Sequence, residues 1–87
     1  MLTITQAAGE RLQGYLQSAD EGCVVRIVRR SRRLKLRPSR PRPGDTTFSH
    51  DGKVVLVLGR NANRVLASRT LDAHDTNNGP RLQLKPN

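Results

Sequence analysis

Apolar residues along this chain follow two different periods. Leu2 and Ile4 alternate with Thr3 and Thr5, after which Ala8, Leu12, Tyr15 and Leu16 recur at the spacing of one helical face. The pattern predicts a short extended start and a helix from Gln6 to Ser18. Thr5 is placed to cap it, and Gly9 and Gly14 each weaken it by about 1 kcal/mol relative to alanine. Cys23 to Val28 is short and β-branched, bounded by Gly22 and an arginine cluster, and so predicts a strand. In Arg33-Leu34-Lys35-Leu36-Arg37 the alternation is strict, which sends Leu34 and Leu36 to a core and the three cations to water.

Pro38, Pro41 and Pro43 punctuate the next stretch up to Gly44, predicting an extended, mobile connector without regular hydrogen bonds. Thr46 to Ser49 reads as a short strand and Asp51-Gly52 as a hairpin turn. Lys53 to Leu58 is the strongest strand of the chain, its unbroken apolar run implying burial. Arg60 to Ala67 predicts a short helix with Asn61 or Asn63 as its cap. Arg69 to His74 is extended, an Asn-Gly turn follows at Asn78-Gly79, and Arg81 to Lys85 returns as an alternating strand with Leu82 and Leu84 inward. The fold class expected is α+β: one small domain over 1–87, with a curled mixed or antiparallel sheet, an N-terminal helix and a short C-terminal helix. Leu34, Leu36, Val55, Val57, Leu82 and Leu84 are its expected core.

Charge changes this picture at one place. Arg26, Arg29, Arg30, Arg32, Arg33, Lys35, Arg37, Arg40 and Arg42 are nine of the 16 cations, and no acid occurs from Gly22 through Gly44. Elsewhere seven cations balance seven acids, so the net charge of +9 resides in this block. Such a block attracts phosphates, nucleic acid or acidic protein surfaces, and these nine residues are the candidate anion-binding or nucleic-acid-binding site. Arginine favours bidentate phosphate and carboxylate contacts. Tyr15 and Phe48 are the only aromatic residues, too few for a base-stacking platform, and there is no basic recognition-helix pattern, so sequence-specific reading of nucleic acid is not expected.

The remaining chemistry is sparse. Cys23 is the only cysteine, which excludes an intramolecular disulfide framework and suits a reducing compartment. His50 and His74 lie in turn-like contexts and show no metal-ligand spacing with each other or with Cys23; they read as exposed turn residues. Asp72 and Asp75 read as hairpin-solvating carboxylates, and no nucleophile, base and carboxylate set is placed by spacing. Neither a catalytic nor a metal site is expected. The start MLTITQAAGERL has no leader-like apolar stretch and no run is long enough to span a membrane, so a soluble cytoplasmic protein is expected.

The order of elements, with Leu2-Thr3-Ile4-Thr5 before Gln6-Ala7-Ala8, Pro43-Gly44-Asp45 leading into Phe48 to Val54, Thr70-Leu71-Asp72 and the closing Arg81-Leu82-Gln83-Leu84, resembles the HesB-like family, the A-type carriers of iron–sulfur cluster assembly. The resemblance spans nearly the whole chain. It implies a small cytosolic protein, commonly dimeric or larger, with a curled mixed sheet flanked by helices. It also implies three cysteines, one in mid-chain and two in a Cys-Gly-Cys-like tail, that hold iron or a cluster. At the mid-chain position stands Arg29-Arg30-Ser31-Arg32-Arg33, Cys23 does not match, and no such tail follows the last strand. The expectation is a non-enzymatic HesB-like protein without its own cluster ligands or other cofactor. It would act by surface contacts, as a homodimer; the alternative is a basic nucleic-acid or polyanion-binding module using residues 26–42, and a third reading is a scaffold or assembly subunit that docks on an acidic protein.

Overall fold

The computed structural model describes residues 1–30 and 33–86, with the side chains at positions 29, 30, 33, 34 and 80 outside the description. A short β1 (Thr3–Ile4) enters helix α1 (Gln6–Leu16) through Thr5, whose Oγ1 accepts the Ala8 N–H at 3.2 Å as the expected cap. The helix ends two residues earlier than its pattern predicts. Strands β2 (Val24–Arg30) and β3 (Arg33–Ser39) pair antiparallel, and β4 (Thr46–His50) pairs with β5 (Lys53–Leu58) across the Asp51-Gly52 turn. Positive φ at both turn residues, 51° and 82°, gives the primed geometry that strand twist favours.

After α2 (Arg60–Val65), strands β6 (Arg69–Thr76) and β7 (Gly79–Pro86) form the closing hairpin. The mixed-sheet expectation holds, in two parts. One sheet has the order β3-β2-β5-β4, with β2 and β5 parallel; the other has the order β1-β6-β7, with β1 and β6 parallel. Helix α1 lies across both, burying Ala8 and Leu12 against Val25, Ile27, Leu56, Leu58 and Leu71. Because only aliphatic residues and Phe48 fill this core, its packing depends on branched side chains meeting without gaps.

Four expectations are corrected here. Leu36 is 37% exposed, because on the edge strand β3 it borders an open pocket of about 340 Å³, with Leu12 and Tyr15 of α1 and Leu82 and Leu84 around it; the Leu34 side chain lies outside the description. Leu82 and Leu84 are half-buried against the core margin, whereas Val55 and Val57 are fully buried as expected. The proline-rich stretch is not a free connector from its start: β3 continues through Pro38 and Ser39, paired with Val25 and Val24, at a sheet edge where a missing N–H is tolerated. Neither Asn61 nor Asn63 caps α2; Gly59 holds that position without a side-chain hydrogen bond.

His50 is also not an exposed turn residue. Its imidazole lies directly over Gly9 of α1, so closely that a Cβ at Gly9 would collide with Nδ1 and Cγ. Glycine there allows the helix to approach the β4–β5 sheet. Gly14, by contrast, has open space around it.

Helix propensity alone would make both glycines improvable, and the structure separates them. Gly14→Ala is expected to raise stability by about 0.5–1 kcal/mol. Gly9→Ala is expected to lower it by about 1–2 kcal/mol, because the ring must be displaced from a packed position. Denaturant melts of the two variants, and of Gly9→Ala with His50→Ala, check this; the double variant should recover most of the loss.

Candidate interaction surface

The basic block does not form one uniform face. Arg26 sits mid-strand on β2 and is buried, with side-chain exposure of 11%. Its guanidinium donates from Nη1 to Asp45 Oδ1 at 3.0 Å and from Nη2 to Asp45 Oδ2 at 2.5 Å, a bidentate pair. Nε donates to Ser39 Oγ at 3.1 Å, and Nη2 also reaches the Arg40 carbonyl at 3.4 Å. Asp45 accepts in addition the Arg42 backbone N–H at 2.7 Å. Arg26 is thus unlike the exposed cations of the block: it is desolvated, and four of its five N–H donors are engaged within the fold.

Local sequence explains why Asp45 arrives there. Arg42-Pro43-Gly44-Asp45 closes a turn in which the Asp45 N–H donates to the Arg42 carbonyl at 3.1 Å, with Gly44 at φ 87°. Proline at the second position and glycine at the third are the residues such a turn selects. The turn folds the first acid after the block back onto the block's first cation. The Arg26 hydrogen bonds hold the Asp45 carboxyl below its ordinary range, with a smaller contribution from the Arg42 N–H, and Asp45 raises Arg26 in return.

The other cations divide further. Arg40 is exposed but donates to the Glu21 carbonyl at 3.2 Å, its guanidinium lying over Gly22, where φ is 83°. Lys35, Arg37 and Arg42 are exposed, and their side chains form no salt bridge among the described residues, although the charge of Arg42 helps hold Asp45 ionised. In the β2–β3 register Lys35 stands opposite Val28 and Arg37 opposite Arg26, which places both on the sheet face carrying Arg26. Arg32 and the side chains of Arg29, Arg30 and Arg33 lie outside the described residues.

On that side of the molecule an open groove of about 690 Å³ runs between β2 and α2. Ile27, Val28, Ala62, Val65 and Leu66 line it, with Arg42 and Arg60 beside them. The Arg60 side chain lies over Gly44, where a Cβ would stand 3.6 Å from its Nε. Sequence reasoning did not select Asp45, Arg60 or Val65. The available signal was Pro-Gly-Asp immediately after an acid-free cationic run, which marks a turn carrying a counter-charge.

Asp72, expected to be a solvated hairpin residue, is instead a junction. It accepts from Lys85 Nζ at 2.8 Å, from Thr5 Oγ1 at 2.7 Å and from the Ala73 N–H at 2.8 Å. Those bonds, led by Lys85, lower its pKa to about 2. Cys23 is half-buried at the start of β2. Among the described residues no three His, Cys, Asp or Glu side chains converge as a metal site would require, and no helix is long and apolar enough to cross a membrane.

Two outcomes follow from these carboxylates. Asp45→Asn leaves Arg26 buried without its counter-charge and is expected to cost about 2–3 kcal/mol, less than a deeply buried pair because a single loop covers the site. Arg26→Met combined with Asp45→Leu should be much milder, which chemical denaturation of the three proteins checks. A depressed folded-state pKa stabilises above the ordinary Asp value of 3.8, and for Asp72 that contribution is lost as pH falls through about 2. Thermal melts should be flat above pH 5 from this source and fall below about pH 4, and Lys85→Gln, by bringing the folded-state pKa back toward 3.8, should make that fall smaller without moving its onset.

No protein-family model matches the sequence, and no curated protein matches it. Solved structures do match in fold. Escherichia coli SufA, described as involved in biosynthesis of iron–sulfur clusters, superposes with a TM-score of 0.81 at 20% identity, over 98% of this chain and 84% of SufA. IscA, in a crystal structure with a [2Fe-2S] cluster, superposes with a TM-score of 0.68 at 17% identity, over 99% of this chain and 85% of IscA. The chain therefore shares the fold of SufA and IscA, the HesB-like fold that its order of elements implies.

Proposed function

We propose that this chain is a non-enzymatic protein of the A-type carrier fold that holds no cluster of its own and works through contacts of its surface with another protein in the cytoplasm. The observation that carries this reading is the fold likeness to SufA over 98% of the chain, combined with a donor set that does not fit the group. An iron–sulfur cluster is held by about four ligands, chiefly thiolates, and Cys23 is the only thiol of the sequence. A dimer would bring two. The positive field would favour an anionic cluster, yet charge does not replace the bonds.

The test is anaerobic incubation with iron and sulfide, followed by ultraviolet–visible spectroscopy and metal analysis. The expected result is no charge-transfer absorption and no stoichiometric iron or sulfide. Stoichiometric loading that Cys23→Ser abolishes would overturn the reading and require a bridged dimer.

A second reading, non-specific polyanion binding, is favoured by the exposed Lys35, Arg37 and Arg42, whose side chains form no salt bridge among the described residues. Neutralising about five phosphates of duplex DNA would give a slope of log K against log salt near −4 to −5. Replacing Lys35, Arg37 and Arg42 by glutamine should flatten that slope by about 2–3 units, without dependence on DNA sequence. Anisotropy titration at ~50 mM salt measures it, and absence of binding at micromolar protein would end this reading.

A further inference from the structure

The groove beside α2 combines features that neither a bare cationic face nor an ordinary core margin has together. None of the α2 residues Arg60–Val65 is fully buried; the helix rests on the sheet through half-buried Ala62 and its buried C-terminal neighbour Leu66. Val65 is 49% exposed, with half-buried Val28 and Ala62 lining the same groove. Its walls are fixed on one side by the Arg26–Asp45 pair, which anchors the Arg42 turn. Arg60 packs over that turn at Gly44. Two guanidiniums, Arg42 and Arg60, thus flank an apolar floor with no carboxylate among the groove-lining residues.

We propose that this groove is the docking site for an acidic, amphipathic peptide segment of a partner protein, its apolar side chains on Val28, Ala62 and Val65 and its carboxylates on Arg42 and Arg60. The proposal deepens the surface-contact reading above by naming the site and the partner's chemistry. Charge complementarity selects this occupant. A second copy would bring another net +9 toward a rim that is already cationic. Nucleic acid would satisfy the arginines but leave the aliphatic floor wet, and the groove has no aromatic ring on which a base could stack. An acidic amphipathic segment satisfies both halves: aliphatic contacts supply affinity, and the bidentate guanidiniums fix orientation and speed encounter.

The experiment compares two fluorescein-labelled synthetic peptides of equal length and charge, one alternating Leu with Glu and one alternating Ser with Glu, by anisotropy against the full chain. The Leu/Glu peptide should bind about tenfold or more tighter, the worth of burying one or two aliphatic side chains. Val65→Gln should remove that advantage, and Arg60→Gln should weaken both peptides about three- to tenfold. Both positions are exposed, and melting curves confirm that the variants fold.

Equal affinity for the two peptides, or an advantage that survives Val65→Gln, overturns the proposal. Duplex DNA binding that depends on Arg42 and Arg60 with no preference between the peptides assigns the face to nucleic acid instead. A concentration-dependent dimer in sedimentation that Val65→Gln dissociates assigns it to a second copy. Cluster loading on Cys23 would overturn the ligand-free reading while leaving the peptide comparison intact, so the two failures are distinguishable.

Discussion

The Arg26–Asp45 pair is the constraint around which this face of the molecule is arranged. It places a charge on the strand that runs parallel to β5, where an aliphatic residue would ordinarily stand, and then surrounds that charge with Asp45, Ser39 and the Arg40 carbonyl. A buried pair of this kind is weak as a source of stability, since desolvation offsets most of the attraction. Its effect is on geometry. It requires the proline-rich segment to return to the sheet, fixes the Arg42 turn, and leaves Arg42 projecting beside Arg60.

The same pair sorts the basic block into charges with different roles. Counting cations along the sequence treats all nine as equivalent, because net charge is blind to depth. In the fold Arg26 is internal, Arg40 holds the loop at Glu21 and Gly22, and Lys35, Arg37 and Arg42 face water. A surface of free cations beside an aliphatic groove differs chemically from a cationic ladder, and only the structure distinguishes them.

Short-range signals were legible where one residue's chemistry decides the local conformation. Thr5 as cap, Asp51-Gly52 as a turn, and the apolar run of β5 all stand where propensity places them, whereas the last hairpin turns on Asn77-Asn78, one residue before its Asn-Gly signal, with Gly79 at φ 103° opening β7. Long-range partners were not. Strict alternation sends Leu36 inward, yet whether a strand's inner face is filled depends on how tightly α1 and β7 close over it, and there they leave an open pocket. Three prolines read as an interruption, yet a sheet edge accommodates Pro38. His50 and Asp72 looked like turn decoration because their partners, Gly9 and Thr5, lie dozens of residues away. The HesB-like order of elements could be read; the groove could not, since Val28, Arg42, Arg60 and Val65 share no local motif.

The bond from Thr5 Oγ1 to Asp72 Oδ1 spans 67 positions, and Asp72 is in turn held by Lys85. The cap of the first helix is therefore finished by the last hairpin. During synthesis α1 emerges first but lacks both the β6 strand that pairs with β1 and the carboxylate that steadies its cap. Closing so long a loop costs entropy that only the assembled core offsets, so folding is weighted toward late, non-local contacts. Until β6 and β7 have left the ribosome, the apolar face of α1 lacks the cover of the second sheet, and exposed apolar surface of that kind is what makes a nascent chain prone to aggregate.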